Sequence, residues 1–91
     1  MVTVAVRHRV ADFEAWRVVY DEHGAVRSQH GCTGAQVLRD ENDPNEVLIL
    51  TTWPSPQAAY AFRDDPSLPE AMGRGGVVGA PRIEIYNEAS N

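Results

Sequence analysis

Lysine is absent from this 91-residue chain, and cysteine occurs only once. A single cysteine, Cys32, excludes an internal disulfide and suits a reducing compartment. All eight basic residues are arginine, set against thirteen acidic ones for a formal net charge of −5. That balance argues against nucleic acid, whose binding needs Lys and Arg to displace condensed counterions. Arg7 and Arg9 are the only close basic pair, so no basic stripe forms. Long apolar runs are also missing. None approaches the ~20 residues needed to span a bilayer. The opening Met-Val-Thr-Val-Ala-Val-Arg lacks the basic-then-apolar order of a signal peptide. No membrane partner and a cytoplasmic location are therefore expected.

What is present fits one small domain, residues 1–91. Val2, Val4, Val6 and His8 alternate with Thr3, Ala5 and Arg7, the pattern of a strand. Asp12 suits a helix N-cap, and the helix it starts is expected to run to about Gln29, with Gly31 and Gly34 as its stop. Ala35 to Arg39 reads as a short strand, and the polar stretch Asp40 to Asn45 as a hairpin loop. Glu46 to Trp53 is a strand that is apolar on both faces through Val47-Leu48-Ile49-Leu50. Such a strand must be covered on both sides. The chain's own helices supply one cover, and a second copy of the chain is expected to supply the other. Ser55-Pro56 starts a second helix that ends at Asp65-Pro66. Leu68 to Gly73 forms a further short turn. Gly73 to Pro81 reads as a flexible connector or pocket lid, Arg82 to Glu88 as the last strand, and Ala89-Ser90-Asn91 as a loose tail. The order is that of an α+β, ferredoxin-like βαββαβ fold: a four-stranded antiparallel sheet with helices on one face.

The first helix carries the most informative stripe. At about 100° per residue, Phe13, Trp16, Tyr20, His23 and Arg27 fall within an arc of roughly 80°. The inward face thus begins apolar and turns polar and aromatic. Burying His and Arg costs several kcal/mol unless they find partners or line a wet cavity. A polar-lined pocket between helix and sheet answers that cost. The alternative is that Trp16 and Tyr20 are ordinary core, that His23 bonds a backbone carbonyl, and that Arg27 reaches out to solvent. Trp53, Phe62, Met72 and His8 are placed to line the pocket's other side.

Other constellations carry less. His23 and His30 lie seven residues apart, about 10.5 Å along a helix, too far to share one metal, and no Cys–His cluster or carboxylate triad completes a site. No metal and no cofactor are expected. Gly73 to Gly79 lacks the preceding strand, the Lys-Ser/Thr ending and the following helix of a phosphate loop.

Several segments carry a resemblance: Val10-Ala11-Asp12-Phe13-Glu14-Ala15-Trp16, Tyr20-Asp21-Glu22-His23, Asp43-Pro44-Asn45-Glu46-Val47, Trp53, and Gly76-Val77-Val78-Gly79-Ala80-Pro81. On these, nearly the whole chain resembles the dimeric α+β barrel superfamily, and within it the antibiotic biosynthesis monooxygenase-like group, which includes small cyclase-like proteins. The resemblance implies two sheets facing each other across a homodimer, with a ligand cleft in each subunit. It covers cofactor-free oxygenases of aromatic polyketides, polyketide cyclases and haem-degrading oxygenases. The haem-degrading branch uses a first-strand Asn and a Trp and a His ten residues apart. Phe62 and Met72 stand at the matching Trp and His positions and the first strand has no Asn, so the haem branch does not fit.

The function expected is a cofactor-independent enzyme, of monooxygenase or cyclase type, acting on a small aromatic or polyketide-like molecule. His23 would be the base, because imidazole titrates near neutrality. Tyr20 and Arg27 would hold a developing oxyanion, and Trp16, Trp53, Phe62, Met72 and His8 would bind the substrate. The alternative is a non-catalytic ligand-binding or stress-associated dimer using the same cleft.

Overall fold

A computed structural model describes residues 1–89; Ser90 and Asn91 of the expected loose tail lie outside the described residues. Eight elements follow one another: β1 (Val2–Val10), α1 (Phe13–Glu22), α2 (Gly24–Gln29), β2 (Gly34–Arg39), β3 (Glu46–Trp53), α3 (Pro56–Arg63), α4 (Ser67–Arg74) and β4 (Val77–Asn87). The strands form one antiparallel sheet in the order β2-β3-β1-β4. This is the ferredoxin-like α+β arrangement, in which each crossover consists of two short helices.

Alternation in the central strands decides which residues meet the helices. Val2, Val4, Val6, His8 and Val10 of β1 are buried, as are Val47, Ile49, Thr51 and Trp53 of β3. Register places Val4 beside Thr51 and Val6 beside Ile49, so both sets share one face. On the opposite face Leu48 and Leu50 are half-buried, Leu38 and Tyr86 exposed.

Local chemistry starts the helices. The Asp12 side chain accepts from the Glu14 N–H at 3.0 Å, and Ser55 Oγ accepts from the Ala58 N–H at 3.2 Å with Pro56 in the first turn. The β2–β3 loop is tied to the start of α1. The Val10 N–H reaches the Asn45 carbonyl at 2.9 Å and the Phe13 N–H reaches Asn45 Oδ1 at 3.2 Å. Arg9 pairs with Asp43 and Glu46 beside this junction. The Asp43–Val47 and Val10–Trp16 segments are therefore two sides of one joint.

Two expectations on boundaries are corrected. The first helix does not run unbroken to Gln29: it ends at Glu22, and α2 begins at Gly24. His23 sits between them at φ −75°, ψ −5°, where its carbonyl takes bonds from both the Val26 and Arg27 N–H groups. Gly24, a poor helix former, marks the break. The Gly73–Pro81 stretch is not a flexible connector or lid either, because β4 already begins at Val77. Gly73 and Gly75 belong to the end of α4, while Gly76 and Gly79, before and within β4, both have φ of +76°, a region only glycine enters cheaply. Arg7 pairs with Arg82 but Arg9 pairs with Val78, so β4 bulges through Gly79-Ala80-Pro81 opposite His8. Pro81 is tolerated there because β4 is an edge strand.

Candidate functional site

Between the helices and the sheet lies a cavity of about 60 Å³. Its sheet side is built from Val6, His8, Ile49 and Thr51, and its helix side includes Trp16, Tyr20, His23, Arg27, Phe62 and Met72. Seven of the eight residues expected to form the site thus converge. Trp53 does not reach the cavity. It is fully buried behind Phe62, with ring centroids stacked at 4.9 Å, and its indole N–H donates to Thr51 Oγ1 at 2.9 Å. Its part is to back the wall.

An aromatic stack forms the first wall. Trp16 lies 5.0 Å from Tyr20, ring to ring, and meets His8 edge-on at 5.6 Å. Gly75 makes room for it, since a Cβ there would stand 3.0 Å from Trp16 Cδ1. The Arg27 guanidinium sits 3.8 Å from the centre of the Tyr20 ring while donating to the Tyr20 carbonyl at 3.0 Å. Arg27 therefore stays at the half-buried rim and does not extend freely into solvent.

His23 is buried, and its Nε2 lies 2.9 Å from Ser67 Oγ rather than on a backbone carbonyl. Ser67 also donates its backbone N–H to Asp65 Oδ1 at 2.8 Å. On the other side Asp65 takes a hydrogen bond from His30 Nε2 at 2.8 Å. His30, and after it Ser67, hold the Asp65 carboxyl far below the usual carboxylate range. Ser67 thus holds the His23 ring through Nε2 while its own backbone is anchored by Asp65. Ser67 and Asp65 were not singled out from sequence. A Ser two residues after an Asp across a proline reads only as a turn, and its histidine partners are 35 and 44 positions away.

Burial lowers the pKa of His23, with the Arg27 charge adding to it. Burial also lowers the pKa of His8, with Glu46 opposing. Both imidazoles are consequently neutral at pH 7. Burial raises the Tyr20 pKa against the pull of Arg27, so its phenol stays protonated. The site thus offers neutral acceptors and a phenolic donor within apolar walls. Its size sets a condition: a cavity of about 150 Å³ is known to hold benzene, so a ring-sized ligand must displace wall side chains. Met72, unbranched and half-buried on α4, is suited to move. Among the described residues no group of three or more His, Cys, Asp or Glu is placed to hold a metal, and no helix is long and apolar enough to cross a membrane.

Several solved structures share this architecture. SnoaB, a cofactor-independent oxygenase from Streptomyces nogalater, superposes with a TM-score of 0.82 at 14% identity, over 99% of this chain and 94% of that one. A protein assigned to the antibiotic biosynthesis monooxygenases from Caulobacter crescentus gives 0.78 at 20% identity, over 98% and 90%. Another from Nitrosomonas europaea gives 0.77 at 14% identity, over 99% and 100%. At these identities the likeness speaks for the fold alone. No curated protein matches the chain. The family model described as antibiotic biosynthesis monooxygenase matches residues 1–74, and the chain accordingly belongs to that family.

Proposed function

We propose that the protein is a cofactor-independent enzyme, of oxygenase or cyclase type, acting on a small aromatic or polyketide-like molecule as a cytoplasmic homodimer. One observation carries the reading: His23, Tyr20 and Arg27 converge with Trp16 and Phe62 on a single buried cavity. Membership of the family and the SnoaB-like fold favour oxygenase chemistry. The half-buried and exposed apolar residues Leu48, Leu50, Leu38 and Tyr86 favour a second copy against the open sheet face.

Both chemistries begin with loss of an acidic C–H or O–H proton. His23 is the proposed base, its ring held by Ser67 at Nε2 and Ser67 in turn anchored by Asp65. Tyr20 O–H and the Arg27 charge stabilise the enolate or phenolate oxygen that results. In the oxygenase case dioxygen oxidises that anion; a ring CH₂ becomes C=O, and the second oxygen atom leaves as water. In the cyclase case the carbanion attacks a carbonyl of the same chain. Trp16 and Phe62 hold the ring.

The test is a thermal-shift screen of aromatic ligands, followed by oxygen consumption and product analysis on each binder. Oxygen uptake or ring closure that falls by about 10²–10⁴ in His23→Ala supports the assignment. Turnover within about threefold of wild type removes His23 as the base. Binding without any turnover favours the ligand-binding alternative.

A further inference from the structure

Leu68 and Met72 border two hollows at once. On one side lies the cavity of about 60 Å³. On the other, between α4 and β4, runs an open groove of about 380 Å³ whose walls also include Pro69, Gly73, Val77 and Ile83. The sheet floor is continuous beneath both: Val6 lines the cavity, and Ile83, its pairing partner on β4, lines the groove. Two apolar side chains form the partition.

Ties among the helices decide which way a ligand can extend. α4 is fastened toward α1 and α2 at both ends. Near its start stand the His23–Ser67 contact at 2.9 Å and the His30–Asp65 bond at 2.8 Å; near its end Arg74 pairs with Glu22 at 3.6 Å. Toward β4 the space is open, and Met72, with its unbranched chain, can turn aside. The chemistry of the groove is equally plain. Among the described residues Arg63 alone brings a charge to its lining, and that guanidinium is paired with Asp64 at 3.1 Å. Hydrocarbon suits such walls better than an acid or a phosphate.

We infer that the groove is a second subsite, filled by an apolar chain carried on the ring that occupies the cavity. The substrate class is accordingly an aromatic ring with an unbranched hydrocarbon substituent several carbons long, which passes beneath α4 once Met72 has moved. The cavity is too small for a ring while its wall stays in place, and displacing Met72 opens it onto the groove. This rests on the ligand cavity assigned above and adds the part of the ligand that lies outside it.

The experiment measures 4-ethylphenol and 4-hexylphenol by isothermal titration calorimetry at pH 7; the hydroxyl is common to both and cancels in the comparison. A methylene half-buried in an open groove strengthens binding about twofold, so wild type is expected to prefer the hexyl compound about tenfold or more. Gly73→Leu narrows the groove: Gly73 is helical, and a Cβ added there meets nothing within 4 Å. Pro69→Glu places a charge on the groove wall at an exposed position in the first turn of α4, where an acidic residue is tolerated. Each variant is expected to lose most of the preference while keeping its affinity for 4-ethylphenol, which also shows that the cavity is intact. Equal binding of the two probes by wild type, binding of neither, or a preference that survives both substitutions overturns the inference. So does a changed sedimentation coefficient in Gly73→Leu, which would assign the groove to a second copy of the chain. Failure here is separable from failure of the enzymatic reading. Turnover of a binder without any effect of chain length sinks only the subsite, and chain-dependent binding without turnover of any binder sinks only the enzyme.

Discussion

Replacing His8 by leucine is expected to stabilise the ligand-free protein, against the usual outcome of a core substitution. His8 is buried against Trp16 and beside Val47, and neither ring nitrogen has a partner. A buried unsatisfied donor or acceptor costs about 1–3 kcal/mol. Leucine removes both groups and keeps an apolar side chain of similar bulk, so a net gain of about 1–3 kcal/mol follows. For a domain of this size each kcal/mol raises Tm by roughly 4–8 °C. The sign of the pH dependence is also fixed. Burial holds the folded-state pKa of His8 below its ordinary value of 6.5. As pH falls through about 6.5 the unfolded chain takes up a proton that the folded chain refuses, so wild type loses stability toward acid. The leucine variant has no such group, although His23, whose pKa is lowered in the same direction, still acts in both proteins. The stability gap should therefore widen between pH 7.5 and pH 5. Urea denaturation at one fixed protein concentration measures it, with the m-value as a check on the transition. A variant less stable than wild type at pH 7, or a gap that stays constant with pH, would refute the view of His8 as a strained, unpaired group.

Three further outcomes are expected. Thr51→Val leaves the buried Trp53 indole N–H without its acceptor and should cost about 1–3 kcal/mol in urea denaturation, with little change in the cavity. Met72→Ala should cost about 2 kcal/mol, the low end for a methionine truncation because the side chain is half-buried. It should also tighten binding of bicyclic probes by calorimetry, since the cavity wall then lies further back. Leu50→Arg on the open sheet face should convert a dimer to a monomer in sedimentation velocity while the far-ultraviolet spectrum stays native; an unchanged sedimentation coefficient would place the partner elsewhere or deny it.

The order of elements and the inward set of residues were settled by local pattern. Period-two alternation divided Val2–His8 into two faces, because a strand offers only two, whereas Glu46–Trp53 is apolar on both and its inward set follows from its pairing with β1. Side-chain caps at Asp12 and Ser55 placed two helix starts, because an N-cap bond spans two or three residues. The stripe from Trp16 to Arg27 points at the cavity by helical periodicity alone. What lies beyond the reach of local pattern was decided by distant partners. The bond from His23 to Ser67 and the bulge that turns Gly79-Ala80-Pro81 away opposite His8 join segments far apart in the chain, and Trp53 retreats behind Phe62 of the next helix. Glycine and proline read locally as connector, yet Arg9 and Val10 of β1 pair with Val78 and Val77, and that pairing extends the strand back through the segment. Sequence told which residues turn inward; only packing told which of them remain without a partner, and those are the residues a ligand can use.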